Sequence, residues 1–276
     1  MEALSRFKIP INKRIDRILH PEYVSELVGT FFLVFTVCAN VLQRIPPDVL
    51  ARISSEELQR RSLGPLSIGS ILMVMVFSTG GISGAHFNPA VTVAIYLTHP
   101  DKFPIDKAIR YIFVQCLGGL FAGLLGWWIM SSTFTLSPGK NRTAFDVMSV
   151  ETFFAMALCF VVLNTATTKQ DSNNQYFGLA IGFTVAAAAF GIGPVSGCAI
   201  NPAVSFGCML THFFHTGKGL AYLIVYFGTP LIGSFAASFL TKVIRKAEFE
   251  PSIAQLSSAV YAEVSPDSPK QAQLAN

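Results

Sequence analysis

The chain has 276 residues, 51% of them hydrophobic and only 13% charged, and its mean hydropathy is positive. This balance excludes an ordinary soluble globule, and the formal net charge of +4 sits on the flanks of apolar runs, so it does not point to nucleic acid. The five cysteines (Cys38, Cys116, Cys159, Cys198 and Cys208) lie in or beside apolar segments, which excludes a disulfide framework of exposed loops.

In chain order, residues 1–21 are basic and polar, carrying Arg6, Lys8, Lys13, Arg14 and Arg17 without the apolar core of a cleavable signal. Four runs, 62–100, 111–139, 172–217 and 219–241, then contain no Asp, Glu, Lys or Arg. A helix of about 20 apolar residues crosses the hydrocarbon core of a bilayer. The runs and their flanks predict six spans, at roughly 22–43, 64–83, 107–130, 147–168, 176–193 and 219–242. A large soluble all-α core would need polar stripes on its helices, and none is visible. Residues 247–276 are rich in Ser, Pro, Ala and Gln, have no apolar face and read as a disordered tail. Ser257, Ser258, Ser265 and Ser268 are its phosphorylation candidates. The expected division is a basic N-terminus over 1–21, a membrane domain over 22–246 and the tail.

Six spans put both termini on one side of the membrane. On that side fall 13 of the 20 Lys and Arg: the five named above, Lys102, Lys107, Arg110, Lys169, Lys242, Arg245, Lys246 and Lys270. Arg44, Arg52, Arg60, Arg61, Lys140, Arg142 and Lys218 fall on the other. The excess of basic residues marks the cytosolic face, so both termini are expected in the cytosol. The sequon Asn141-Arg-Thr143 then lies outside and makes Asn141 a glycosylation candidate. Trp127 and Trp128, near the end of the third span, suit the membrane interface.

The chain repeats itself. Ser83–Val91 reads SGAHFNPAV and Ser196–Val204 reads SGCAINPAV. Upstream, LSIG at Leu66–Gly69 matches LAIG at Leu179–Gly182, and Ile68 precedes Asn88 by the same 20 residues by which Ile181 precedes Asn201. Glu26 and Glu151, each ahead of a Phe-rich run, extend the match. One copy covers about 22–130 and the other about 147–243. Three spans per copy force the second copy to insert upside down, which makes an inverted repeat.

Each Asn-Pro-Ala box starts a helix. Asn88 and Asn201 are good N-caps, and Pro89 and Pro202 suit the first helical position, where no amide donor is needed. The helices expected after them, Val91–Leu97 and Val204–Thr211, are too short to cross, and the Gly-rich stretches Gly80–Gly84 and Gly191–Gly197 before them read as extended backbone. Both segments are re-entrant half-helices whose N-termini meet near the midplane, where non-helical backbone survives only against a water-filled cavity. Two helix N-termini bring about half a positive charge each. The capping asparagines aim NH₂ donors at the cavity, so a water there is held as an acceptor and breaks the proton wire. The positive potential repels cations, and the loop carbonyls form a ladder of acceptors. These are the elements of a pore that passes water and excludes protons.

Two Asn-Pro-Ala boxes in an inverted six-span repeat, with Glu26 and Glu151 in spans one and four, resemble the aquaporin or major intrinsic protein family over about residues 22–243. The resemblance implies an all-α membrane fold of six transmembrane helices plus two half-helices, Glu26 and Glu151 behind the loops as acceptors for backbone amides, and a homotetramer with a pore in each subunit. It implies no cofactor, no metal and no enzymatic activity. It also implies a second, outer constriction, the aromatic/arginine filter. Carried over by spacing from the asparagines, its positions are Ile68, Ala189, Cys198 and Val204. Val204 replaces the usual Arg after Asn201-Pro202-Ala203, as in the plant vacuolar subgroup. GPVSG at Gly193–Gly197 resembles glycerol facilitators, yet Ser205 stands where those carry Asp.

The function expected is therefore passive conduction of water together with small neutral solutes, glycerol and ammonia first. The alternatives are a strictly water-selective channel and a coupled transporter, which needs ionisable groups at the midplane that only Glu26 and Glu151 offer. His86 either faces the pore or holds its loop by a hydrogen bond, and Phe87 and Ile200 pack or form pore wall. Cys198, at the outer constriction, is the expected mercurial site. The membrane is either the plasma membrane or a vacuolar or other intracellular one.

Overall fold

A computed structural model describes residues 20–42, 62–168 and 174–249. Arg6, Lys8, Lys13, Arg14, Arg17, Arg44, Arg52, Arg60, Arg61, Lys169, Lys270 and the four candidate phosphoserines lie outside the described residues. The described chain is helical: α1 (Pro21–Val41), α2 (Gly64–Ser83), α3 (Pro89–Thr98), α4 (Ile105–Met130), α5 (Ala144–Ala166), α6 (Phe177–Ser196), α7 (Pro202–Thr216), α8 (Leu223–Ile244) and the short α9 (Lys246–Phe249). Six of these, α1, α2, α4, α5, α6 and α8, are long and apolar enough to cross a membrane. Their outward faces are apolar too: Ile224 is 87% exposed, Trp128 80% and Phe239 72%. Side chains so greasy and so bare belong against lipid.

The two copies pack by matching contacts. α1 lies along α4 as α5 lies along α8, and α2 crosses α6 between them. The crossing is set at Gly69 and Gly182, the last residues of LSIG and LAIG. A Cβ on either would run into the backbone oxygen of the other, so only glycine lets the helices approach this closely. Gly119 of α4 does the same against Ala203 and Gly207 of α7. Close backbone approach through small residues is how helices pack where no hydrophobic force drives them together.

Several boundaries differ from the sequence expectation, each for a physical reason. Gly80 and Gly81 are helical within α2, and Gly191, Gly193 and Pro194 are helical within α6. The non-helical backbone is shorter than expected, at 84–87 and 197–200, and it is twisted through positive φ rather than extended. Helical glycine costs only about 1 kcal/mol, whereas an unpaired backbone group in an apolar setting costs several, so the helices persist to their αL caps at Gly84 (φ 86°) and Gly197 (φ 82°). The second half-helix runs 15 residues, well past Thr211, before Gly217 (φ 70°) caps it. The fourth span begins at Ala144 because Thr143 and Asp146 form a capping box. At the far end, residues 247–249 belong to helix α9, and the Phe249 ring stacks 5.5 Å from His99. The remainder of the tail lies outside the described residues.

Candidate functional site: a cavity between two half-helices

Each re-entrant loop is built around a buried carboxylate. Glu26 of α1 accepts from Ser83 Oγ (2.7 Å), His86 N (2.9 Å), Phe87 N (2.8 Å) and Gln115 Nε2 (2.8 Å). Glu151 of α5 accepts from Ser196 Oγ (2.6 Å), Ala199 N (3.0 Å) and Ile200 N. The serines close the loops, since Ser83 Oγ accepts from Ala85 N and Ser196 Oγ from Cys198 N. Tyr111 and Tyr226 donate their hydroxyls to the carbonyls of Ser83 and Ser196. A carboxylate out of water persists only when donors surround it. The loop amides, left without helix or sheet partners, supply most of those donors.

Satisfying the amides in this way twists the backbone. Ala85, Phe87, Cys198 and Ile200 all have positive φ, between 40° and 54°. For residues with a Cβ this region is unfavourable, most of all for the β-branched Ile200. Strain of this kind, on the order of 1–3 kcal/mol per residue, persists only where the surroundings dictate it. Here the alternating twist sends amides to the carboxylate and carbonyls the other way. Among the described residues, no protein donor reaches the carbonyls of Ala85, His86, Cys198 or Ala199, and all four residues line the central cavity.

At the centre the half-helices meet head to head. Asn88 Oδ1 caps α3 through Ala90 N (2.8 Å), and Asn201 Oδ1 caps α7 through Ala203 N (2.9 Å). Each asparagine also reaches across: Asn88 Nδ2 donates to Ile200 O and Asn201 Nδ2 to Phe87 O, both at 3.0 Å. One amide hydrogen of each thus locks the opposite loop and one is left for the cavity. The first box is clamped further than the second. Gln115 Nε2 donates to Thr92 Oγ1 at 2.9 Å, and Thr92 Oγ1 lies 3.1 Å from His86 Nδ1. In the second copy Ala199 occupies the place of His86, and among the described residues no amide side chain joins Glu151.

The cavity has a volume of about 70 Å³, where one water needs roughly 10–15 Å³, so it accommodates a short file of waters. Asn88, Asn201 and His86 line it, and so do Ile68 of α2, Ala189 of α6, Cys198 of the second loop and Val204 of α7. Most of the remaining wall is aliphatic. Among the described residues no Asp, Glu, Lys or Arg lines it. Pro89, Ala90, Pro202 and Ala203 stand back from it as buried first turns, and Glu26 and Glu151 sit behind the loops. His86 both lines the cavity and bonds Thr92. Phe87 and Ile200 are buried, and Ile200 also reaches the wall. Asn141 is exposed in the loop between α4 and α5.

Sequence reasoning did not find the cross-loop bonds, Gln115, Thr92 or the two tyrosines. The signal for Gln115 was present: it is the one amide side chain in α4. The cross-loop bonds join residues more than a hundred positions apart and leave no local pattern.

Six spans around a narrow cavity, closed at the centre by two half-helices, define a membrane channel. The family model described as Major intrinsic protein matches residues 17–241, and the chain belongs to that family, whose members are passive channels and not enzymes. The chain is 31% identical to Nodulin-26 of Glycine max, covering 80% of this chain and 77% of that one. It is 32% identical to Glycerol uptake facilitator protein-like 6 of Lactiplantibacillus plantarum, covering 81% and 97%. Probable aquaporin NIP4-2 of Arabidopsis thaliana is 30% identical, with 87% and 84% covered. In fold, it is similar to the X-ray structure of the aquaglyceroporin from Plasmodium falciparum, with a TM-score of 0.69 at 20% identity over 82% of this chain and 97% of that one.

Proposed function

We propose that the chain conducts water and small neutral solutes, glycerol and ammonia first, down their gradients and excludes protons and ions. The observation that carries this reading is the pair of asparagines at the centre of an otherwise uncharged cavity. With one hydrogen of each NH₂ committed to the opposite loop, the other is a fixed donor. Water passing between two such donors accepts at its oxygen, and its hydrogens turn outward to the loop carbonyls, so the proton wire is interrupted. The N-termini of α3 and α7 add a positive potential that opposes cations.

Solute range rests on the outer wall. Ile68, Ala189, Cys198 and Val204 carry no charge, and Ala189 and Val204 leave an aperture wider than one narrowed by an arginine. A polar solute loses some hydrogen bonding there but is not excluded by size. Coupled transport is disfavoured because both buried carboxylates are fully engaged with loop donors and neither lines the cavity. The proposal extends to a homotetramer with a pore per subunit, to both termini in the cytosol, and to glycosylation at Asn141 where the host permits it.

Proteoliposomes test the reading. Osmotic shrinkage, glycerol re-swelling and ammonia-driven internal alkalinisation should all exceed those of empty vesicles, without dependence on an ion gradient. Accumulation of solute against its gradient, or water flux with neither glycerol nor ammonia flux, would overturn it.

A further inference from the structure

A second site lies away from the pore, between α1 and the second half-helix. Cys38 of α1 and Cys208 of α7 bring their sulfurs to 3.8 Å, and both side chains are buried. Beside them is a small void of about 10 Å³ lined by Cys38, Leu42, Gly123, Thr133, Cys208 and Thr211, close to the room of a single water. Thr211, one turn beyond Cys208 and only 2% exposed, lines it with an Oγ1 that has no hydrogen-bond partner among the described residues. A buried polar atom normally has one. Gly123 keeps the space open, since a Cβ there would crowd Thr211 Oγ1.

Two chemistries suit a pair of touching thiols, and distance separates them. A disulfide needs the sulfurs at about 2.05 Å, so they would have to close by about 1.75 Å across two packed helices. A cation held in line between two thiolates, at about 2.3 Å from each, needs them about 4.6 Å apart, an opening of only about 0.8 Å from the present separation. Oxidation also requires a thiolate to attack first, which an apolar pocket disfavours, whereas a metal displaces the protons directly. Charge then selects the cation. Two thiolates around a divalent ion form a neutral unit, while a monovalent ion leaves a net negative charge in a pocket whose lining, among the described residues, holds no basic side chain.

The geometry points to a binding site for a soft divalent cation, typified by Hg²⁺, held linearly by Cys38 and Cys208 with Thr211 Oγ1 donating to one thiolate. Two S–H bonds break, two S–Hg bonds form, and two protons pass to water. Soft thiolate ligands select such ions over the hard cations of the cell. The second thiol also distinguishes the site from Cys198, which can offer only one.

Purified full-length protein is loaded with Hg²⁺, washed with excess glutathione, and its metal counted. Wild type and Cys198→Ser should keep one ion per chain. Cys38→Ser and Cys208→Ser should hold it at least about a hundredfold less tightly, the advantage a second linked ligand confers, and Thr211→Val should fall in between. Water flux of the unloaded serine variants should match wild type, which separates loss of the site from misfolding. Ag⁺ in place of Hg²⁺ should wash out. Peptide mapping of loaded wild type should find mercury bridging the Cys38 and Cys208 peptides, a readout that needs no variant. Retention by either serine variant, loss in Cys198→Ser, Ag⁺ held as firmly as Hg²⁺, or a bridge elsewhere would overturn the assignment.

Discussion

Asn88 donates from Nδ2 to the carbonyl of Ile200 at 3.0 Å, a bond between residues 112 positions apart that ties the first re-entrant loop to the second. Its mirror runs from Asn201 to Phe87. The two half-helices are therefore a single locked unit at the midplane, and the donors that face the cavity are fixed by the same bonds that hold it together.

Replacing Asn88 or Asn201 by Asp tests both roles. The carboxylate still caps its helix but cannot donate across, which leaves a buried carbonyl unpaired at about 1–3 kcal/mol. It also opposes the positive potential of the helix ends. Cation and proton leakage measured in voltage-clamped vesicles should rise in both variants, and thermal unfolding in detergent should move to lower temperature. Unchanged leakage in both would remove the asparagines from the exclusion mechanism.

The two carboxylates predict an asymmetry. Glu26 has four donors and Glu151 three. Gln at either position removes the charge and turns an NH₂ donor toward groups that themselves donate, and charge-assisted bonds are worth about 1.5–3 kcal/mol each, so both variants should be clearly less stable. Gln115→Ala, by contrast, should soften only the first loop. Hydrogen exchange should then speed up at 85–87 and stay slow at 199–201. Equal loosening of both loops would show that the clamps are not independent.

Gly69 and Gly182 predict a steric effect. Ala at Gly69 must push α2 away from the Gly182 carbonyl, and overpacking of this kind costs about 1–3 kcal/mol. Gly81, in the same helix with nothing within 4 Å of where a methyl would sit, is the control: Ala there should be neutral or stabilising by up to about 1 kcal/mol. Detergent melts of the two variants make the comparison, and equal melting would place the contact elsewhere.

Cys198 faces the cavity, so brief exposure to a mercurial should block water flux in wild type and spare Cys198→Ser. The block should reverse with added thiol, unlike the metal held between Cys38 and Cys208. Rapid block of Cys198→Ser would show that the second loop does not carry the accessible thiol.

Much of this was legible because a bilayer imposes strong rules. Apolar runs of the right length, four of them free of charge and the first and fourth spans carrying only a few acidic residues, located the six spans, and the duplicated box located both half-helices. Counting back from Asn88 and Asn201 placed Ile68 and Ala189 on the cavity wall, since helix register is kept wherever glycine contacts such as Gly69–Gly182 pin it. Local signals failed where tertiary demands prevailed. Gly80 and Gly191 look like loop yet are helical, because backbone without water must pair internally. The second half-helix, expected to end at Thr211, continues to Thr216, and in the added turn His212 and His215 both bond Thr133, a contact across 79 and 82 positions that no local pattern marks. The meeting of Cys38 with Cys208 spans 170 positions and no periodicity announces it.

The uncharged outer wall is the central claim, and Val204 tests it most directly. Water and glycerol fluxes are measured in the same proteoliposome preparations for wild type and Val204→Arg. An arginine narrows the aperture and adds a positive barrier, so the glycerol-to-water flux ratio should fall by about tenfold or more, equivalent to roughly 1.4 kcal/mol of added barrier for glycerol, while water flux persists. A ratio that is unchanged in Val204→Arg would contradict the account.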